Sequence, residues 1–140
     1  MLPNTLTIGV TQSGETADTI AAIDMEIKRR SSKEDKKFTP NLIAITNRKE
    51  SSIGRQVLNI IDICAGIEVG VAATKNFFGQ LLSFYGLAIK FAQIKGTQSS
   101  DEVDKLITEL IKLPPLIEDL LEQHNNCLLY TSPSPRDPLW

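Results

Sequence analysis

The spacing of apolar and polar positions changes along this chain, and each change predicts an element of structure. Two short runs rich in β-branched residues, Leu6–Val10 and Leu42–Thr46, end in polar turns, as strands do. Between them, Ile20, Ile23 and Ile27 keep the spacing of a helix. This order of elements predicts a βαβ unit with parallel strands.

The composition of the second strand indicates how the sheet is covered. Residues 42–45 read Leu-Ile-Ala-Ile, and apolar residues on both faces are typical of a strand between two layers of helices. A short capped helix over residues 51–56 and a third strand over residues 59–64 should follow, with Cys64 buried as a small apolar residue. The predicted fold class is α/β, a three-layer parallel sheet flanked by helices. Residues 31–40 are polar without periodicity and predict an exposed loop.

The second half of the chain has the pattern of a set of C-terminal helices. Helical spacing from Thr74 predicts a long helix that ends near Gly96, and its aromatic residues are interpreted as core rather than as a cofactor-binding group. Residues 99–102 have the form of a capping box. They predict another helix, which the prolines at 114 and 115 should break before a last helix over residues 117–121.

Length and composition limit the classes of function. The 140 residues, 41% of them hydrophobic and 23% charged, suffice for one modest domain. A net charge of −2 gives no basic field for a nucleic-acid or membrane partner, and the basic run Lys28–Arg30 is interpreted as a solvated helix end. No apolar run approaches the roughly 20 residues that span a bilayer, so we expect a cytoplasmic protein.

Few residues are suited to metal or covalent chemistry. Two cysteines that lie far apart and a single histidine are too few for a disulfide scaffold, a zinc site or a Cys/His catalytic pair. The glycine-rich motifs of nucleotide-binding domains are absent. We therefore expect no metal and no cofactor.

The turn after the first strand carries the strongest functional signal. Residues 11–16 read Thr-Gln-Ser-Gly-Glu-Thr, and a helix is predicted to begin near their end. The unpaired N–H groups and the dipole at a helix N-terminus favour an anion such as phosphate. Thr11, Ser13 and Thr16 add hydroxyl donors, and Gly14 permits close approach. Hydroxyl residues are also ordinary N-caps, so the local pattern leaves both interpretations open.

A second motif decides the family resemblance. Residues 65–75 read Ala-Gly-Ile-Glu-Val-Gly-Val-Ala-Ala-Thr-Lys, and together with residues 11–19 they resemble the sugar-isomerase (SIS) domain of glutamine:fructose-6-phosphate aminotransferases, over about residues 5–125. The resemblance implies an SIS, flavodoxin-like fold, here incomplete. It also implies an enzyme of amino-sugar biosynthesis that makes glucosamine 6-phosphate from fructose 6-phosphate and glutamine. In this family a glutaminase domain precedes two SIS halves, and the complete enzyme is expected to be a homodimer.

The resemblance also assigns roles to residues. It implies that the sugar phosphate is bound by residues of the first motif and lined by two of the second: Thr11, Gln12, Ser13, Gly14, Thr16, Val71 and Ala73. Ala73 stands where serine is frequent in the family, which removes one side-chain hydrogen bond. Glu68 and Lys75 fit either an ion pair at a helix start or a substrate contact. The family's catalytic groups lie in the second SIS half, so no catalytic residue is expected in this chain.

The last residues of the chain differ from the rest. Residues 127–137 have no helical or strand period and closely resemble the translation of a sequencing adapter. We therefore expect a partial SIS domain over residues 1–126, an internal piece of a longer protein and poorly stable alone, and a non-native, disordered tail over residues 127–140. The alternative function is a non-catalytic SIS module that senses a sugar phosphate. A glutaminase domain upstream would favour the enzyme, and a helix-turn-helix the sensor.

Overall fold

The structure, a computed structural model, describes residues 2–69 and 72–130, with side chains up to residue 123. It divides into two compact units, one up to Ala88 and one from Ile89. The first unit holds strands and helices in alternation: β1 (Leu6–Val10), α1 (Ala17–Ser31), β2 (Asn41–Thr46), α2 (Ser52–Gln56) and β3 (Asn59–Asp62). The remaining helices are α3 (Lys75–Lys95), α4 (Ser100–Ile111) and α5 (Leu113–Tyr130).

The three strands form one parallel sheet in the order β1-β2-β3. Ile8 of β1 pairs with Ile43 of β2, and Ala44 of β2 pairs with Ile60 of β3. Each parallel connection crosses over through a helix, α1 for the first pair and α2 for the second. The predicted α/β fold, a parallel sheet flanked by helices, is confirmed.

The core of the first unit lies between β2 and the two connecting helices. Ala44 packs with Ile23 of α1 and with Ile53 and Val57 at α2, and all four are buried. Gly9 of β1 allows α1 to come close, because a Cβ at this position would lie 2.8 Å from Cδ1 of Ile23. Apolar burial of this kind contributes about 25 cal/mol per Å² and fixes the helices against the sheet.

The end of β3 and the following residue differ from the prediction. The strand ends at Asp62 rather than at residue 64, and Cys64 is exposed, with a φ of 55°. The Asp62 carboxylate accepts a hydrogen bond from the Cys64 N–H at 2.9 Å, a local turn that competes with the strand ladder. The predicted burial of Cys64 is therefore wrong. A short 3₁₀ turn at Lys36–Phe38 also interrupts the predicted loop.

The C-terminal helices keep their predicted caps but not all their predicted ends. Ser99 and Glu102 form the capping box of α4 through reciprocal bonds. The two prolines lie in the first turn of α5 rather than between helices, where a missing N–H costs no helical bond. The helix then continues to Tyr130, because no glycine or proline occurs from residue 116 to 132. The backbone of residues 127–130 is thus helical, and residues 131–140 lie outside the described part.

The long helix α3 does not place its aromatic residues in a core. Asn76 is its one buried residue among those described. All five aromatic side chains are at least 38% exposed: Phe77, Phe78, Phe84, Tyr85 and Phe91. The predicted core role of these aromatic residues is wrong for this chain, because the elements that the structure describes leave that helix face uncovered.

Arg30 corrects the interpretation of the basic run as a solvated helix end. It is 2% exposed, pairs with the Glu26 carboxylate, and donates from Nη1 to the carbonyl of Leu2 at 3.3 Å. The hydrogen bond from Arg30 to the Glu26 carboxylate is the main cause of the lowered pKa of Glu26. One arginine of the basic run is therefore buried and hydrogen-bonded to the N-terminal segment. None of the described helices has the length and apolar content needed to cross a bilayer.

Candidate functional site

Three loops meet at the carboxyl edge of the sheet and enclose one cleft. They are the first loop (residues 11–16, after β1), the second loop (residues 47–51, after β2) and the third loop (residues 63–69 and 72–74, after β3). Carboxyl ends of parallel strands share one edge, which is where open α/β sheets bind ligands. The cleft measures about 430 Å³ and is lined by Gln12, Ser13, Asn47, Arg48, Glu50, Gly66, Ile67 and Glu68. The two sequence motifs, fifty residues apart, thus lie at one site.

Backbone hydrogen bonds hold the first loop in place. The carbonyl of Gln12 accepts from the Asn47 N–H at 3.1 Å and from the Thr46 hydroxyl at 3.3 Å. The carbonyl of Gly14 accepts from the Ile53 N–H at 3.1 Å. These bonds use no side chain of the loop, so the exposed side chains of Gln12 and Ser13 line the cleft.

Gly14 serves a contact other than the predicted ligand approach. It is buried, its φ is +71°, and a Cβ there would lie 1.9 Å from Oγ of Ser51. Ser51 is the N-cap of α2 and accepts from the Gly54 N–H. Gly14 therefore lets the first loop pack against the start of α2, and its contact with a ligand stays a prediction.

Thr11 and Thr16 are joined through their hydroxyl groups. The two oxygens lie 3.1 Å apart, and the buried Thr11 oxygen also accepts from the Gly14 N–H at 3.2 Å. Thr16 is the N-cap residue of α1, yet its side chain makes no capping hydrogen bond. The ordinary capping interpretation of this threonine is therefore wrong. Helix α1 starts beside the cleft-lining loop without the cap that would occupy its first amides.

Glu68 caps the start of α3 within the third loop. Its carboxylate accepts from the Thr74 N–H at 2.8 Å, from the Lys75 N–H at 3.0 Å and from Nδ2 of Asn76 at 2.5 Å. These bonds, that of Asn76 foremost, lower the pKa of Glu68 to about 2. The Lys75 ammonium instead donates to the carbonyl of Ile67. The predicted helix-start ion pair of Glu68 and Lys75 is therefore wrong, and Glu68 caps backbone amides instead.

Two cleft residues were missed from the sequence. The Asn47 side chain donates to the Gly66 carbonyl at 2.6 Å and accepts from the Ala65 N–H at 2.9 Å, so it joins the second loop to the third. Arg48 brings a guanidinium to the cleft. Their available signal was position, because both directly follow a buried parallel strand.

The remaining predicted site residues are not brought together in the same way. Ala73 is exposed just before α3 and does not line the cleft. Val71 lies outside the described residues. Sugar contacts of both stay predictions. Over residues 2–69 and 72–123, whose side chains the structure describes, no cluster of His, Cys, Asp or Glu is arranged to hold a metal ion.

Comparison with known families identifies the domain. Residues 1–90, more than half of the chain, match the SIS domain family. The chain belongs to the SIS domain family. Over 122 residues, this SIS domain is 52% identical to the glutamine–fructose-6-phosphate aminotransferase (isomerizing) of Thermosynechococcus vestitus, covering 87% of the chain and 19% of the relative. The enzyme of the same name from Synechocystis sp. is 48% identical over 128 residues, covering 91% of the chain and 20% of the relative.

A solved structure agrees with the sequence relatives. The SIS domain superposes on the C-terminal domain of glucosamine-fructose-6-phosphate aminotransferase from Francisella tularensis with a TM-score of 0.72 and 27% identity. The match covers 86% of this chain and 32% of that structure. The chain spans about a fifth of the length of the curated relatives that it matches.

Proposed function

We propose that this SIS domain binds fructose 6-phosphate within a glutamine–fructose-6-phosphate aminotransferase, an enzyme of amino-sugar biosynthesis that forms glucosamine 6-phosphate. One observation carries the proposal: Gln12 and Ser13 line the cleft beside the start of α1, whose N-cap threonine makes no capping bond. The names of the relatives, at about 50% identity, favour this enzyme over a sugar-phosphate sensor.

The chemistry of the first loop suits a phosphate group. A phosphate dianion accepts hydrogen bonds, and this loop offers the Ser13 hydroxyl, the Gln12 amide and, with Thr16, the start of a helix. Backbone bonds fix the loop before any ligand arrives, so little conformational entropy would be lost on binding. Val71 and Ala73 complete the proposal as residues that line the sugar.

Two carboxylates at or near the cleft support a binding role rather than a catalytic one. A general base works best with a pKa near the operating pH, yet the pKa of Glu68 is about 2. The pKa of Glu15 is also lowered, first by the hydroxyl and then by the N–H of Ser52. We therefore propose that the catalytic groups, the glutaminase domain and a second SIS half belong to the rest of a longer, homodimeric, cytoplasmic protein.

The domain boundary remains part of the proposal. We place the partial SIS domain at residues 1–126 and a non-native tail at residues 127–140. Determination of the coding sequence that naturally follows Asn126 would test the boundary directly. A natural sequence identical to residues 127–140 would contradict it.

Calorimetric titration with fructose 6-phosphate tests the binding proposal. Ser13→Ala and Thr16→Val should each weaken binding by roughly 1 to 3 kcal/mol, as expected for a lost hydrogen bond to a charged group. Ser32→Ala, at the opposite end of α1, is the matched control, because its hydroxyl bonds to the Arg29 carbonyl away from the cleft. Unchanged affinity in both loop variants would refute the phosphate assignment.

A further inference from the structure

The charged side chains that line the cleft differ in the hydrogen bonds that they make. Glu68 has both carboxylate oxygens in hydrogen bonds at the start of α3, where the helix dipole offsets its charge. The pKa of Lys49 is raised mainly by its bond to Asp62 and to a smaller extent by the negative charge of its neighbour Glu50. Glu68 is thus fully engaged, whereas Glu50 lies beside a lysine whose ammonium is paired with Asp62.

Arg48 differs from Glu68 in that its charged group has no hydrogen-bonded partner among the described residues. Its backbone N–H is fixed by the Thr46 hydroxyl at 3.3 Å, which holds the residue at the end of β2. Within the part of the chain that the structure describes, no carboxylate or carbonyl accepts a hydrogen bond from its guanidinium. The side chain is exposed and lines the cleft together with Gln12 and Ser13.

We propose that the Arg48 guanidinium binds the phosphate of the sugar phosphate, as a cationic partner to Gln12 and Ser13, and so selects dianionic phosphomonoesters. The inference rests on the proposed function of the first loop. A guanidinium presents parallel N–H donors that match two phosphate oxygens. The neutral donors of the first loop recognise the geometry of a phosphate, and Arg48 adds recognition of its charge.

Arg55 provides a matched control for Arg48. Both arginines are exposed, and both contribute to the lowered pKa of Glu15, behind the hydrogen bonds from Ser52. Arg55 lies on α2 and does not line the cleft. Removal of either residue changes the net charge equally, so a difference between the two variants reports on position rather than on overall charge.

The experiment measures the affinity of the 140-residue protein and its Arg48→Gln, Arg48→Lys and Arg55→Gln variants for fructose 6-phosphate and for inorganic phosphate. Arg48→Gln should weaken both ligands about tenfold, the lower range for a charge-assisted hydrogen bond at an exposed site. Arg48→Lys should recover part of the loss, and Arg55→Gln should change affinity less than about twofold. The ratio between unsubstituted protein and Arg48→Gln should grow from pH 5 to pH 7, because a phosphomonoester gains its second charge near pH 6.

The outcomes separate this inference from the proposed function. Binding by the unsubstituted protein together with equal affinities of the Arg48→Gln and Arg55→Gln variants would overturn the role of Arg48 and leave the first loop as the phosphate site. Weaker binding of fructose 6-phosphate but not of inorganic phosphate would also overturn it, since Arg48 would then act on the sugar. No binding of either ligand by a folded, unsubstituted protein would overturn the proposed function itself.

Discussion

The first and third loops lie at the same cleft but are fixed by different means. The first loop is fixed mainly through its own backbone, with the carbonyls of Gln12 and Gly14 bonded to the second loop and to α2, and the Glu15 carboxylate adds hydrogen bonds from Ser52. The third loop is fixed by side chains, with Asn47 bonded to Ala65 and Gly66 and Glu68 bonded to the start of α3. Backbone bonds survive most substitutions of the loop itself, whereas a side-chain bond is lost with one residue.

This difference assigns recognition of a ligand to the first loop and structural support of the cleft to the third. The backbone bonds of the first loop do not depend on the side chains of Gln12 and Ser13, so these two can suit a ligand while those bonds persist. The third loop uses its polar side chains to keep its shape, and only part of its surface is left for a ligand. Substitutions should therefore affect stability and binding differently in the two loops.

The largest effect is expected from Gly14→Ala, because Gly14 is the residue of the first loop that has a positive φ. The added Cβ would lie 1.9 Å from Ser51 Oγ, at a φ of +71°, so strain and overpacking together should destabilise the protein by about 2 to 5 kcal/mol. Urea unfolding measures the change. Gly66→Ala is the control, because its φ is +64° but nothing lies within 4 Å of the added Cβ. Equal losses in both variants would contradict the packing role of Gly14.

Asn47→Ala should give a smaller loss, confined to the third loop. It removes the acceptor for the Ala65 N–H and the donor to the Gly66 carbonyl, at a cost of about 1 to 2 kcal/mol for groups that water can partly reach. Hydrogen exchange should quicken at Ala65 while the Ile53 amide, bonded to Gly14, stays protected. Asn41→Ala, at the other end of β2, is the control. Loss of protection in both loops would show that they are one unit.

The smallest effect is expected from Glu68→Gln, and it should depend on pH. The pKa of Glu68 is lowered from 4.5 to about 2, mainly by the Asn76 amide. A lowered carboxyl pKa stabilises the folded state fully above the unfolded value, and this contribution is lost as pH falls through the folded value. The difference in thermal midpoint between protein and variant should therefore be constant above about pH 5 and vanish near pH 2. Parallel curves over this range would exclude the charged cap.

The sequence predicted the fold well where the determining pattern is local. The strands β1 and β2, the Ser51 cap of α2 and the capping box of α4 depend on neighbouring residues, and all four occur as predicted. Burial depends on what covers a surface, which periodicity does not report. The apolar face of α3 therefore predicted a core that the described chain does not form, and Arg30 was predicted exposed although Glu26 and Leu2 enclose its guanidinium.

The site was predictable only in part, for a related reason. The first loop stood out because hydroxyl residues gather between a strand and a helix, and Gln12 and Ser13 do line the cleft. Asn47 and Arg48 were not among the predicted site residues, and they reach the cleft because parallel strands align their ends. Gly14 was chosen for ligand approach, and the structure shows that a neighbouring serine takes that space.

The hydrogen bond between the hydroxyls of Thr11 and Thr16 can run in either direction. Each hydroxyl carries one hydrogen, and either oxygen can be the donor across the 3.1 Å between them. When Thr11 donates, the hydrogen of Thr16 is left for a third acceptor, and when Thr16 donates, the free hydrogen belongs to the buried Thr11 instead. An anion at the loop would select the first arrangement, so the ligand would set the polarity of a short relay of hydrogen bonds that begins at the Gly14 amide.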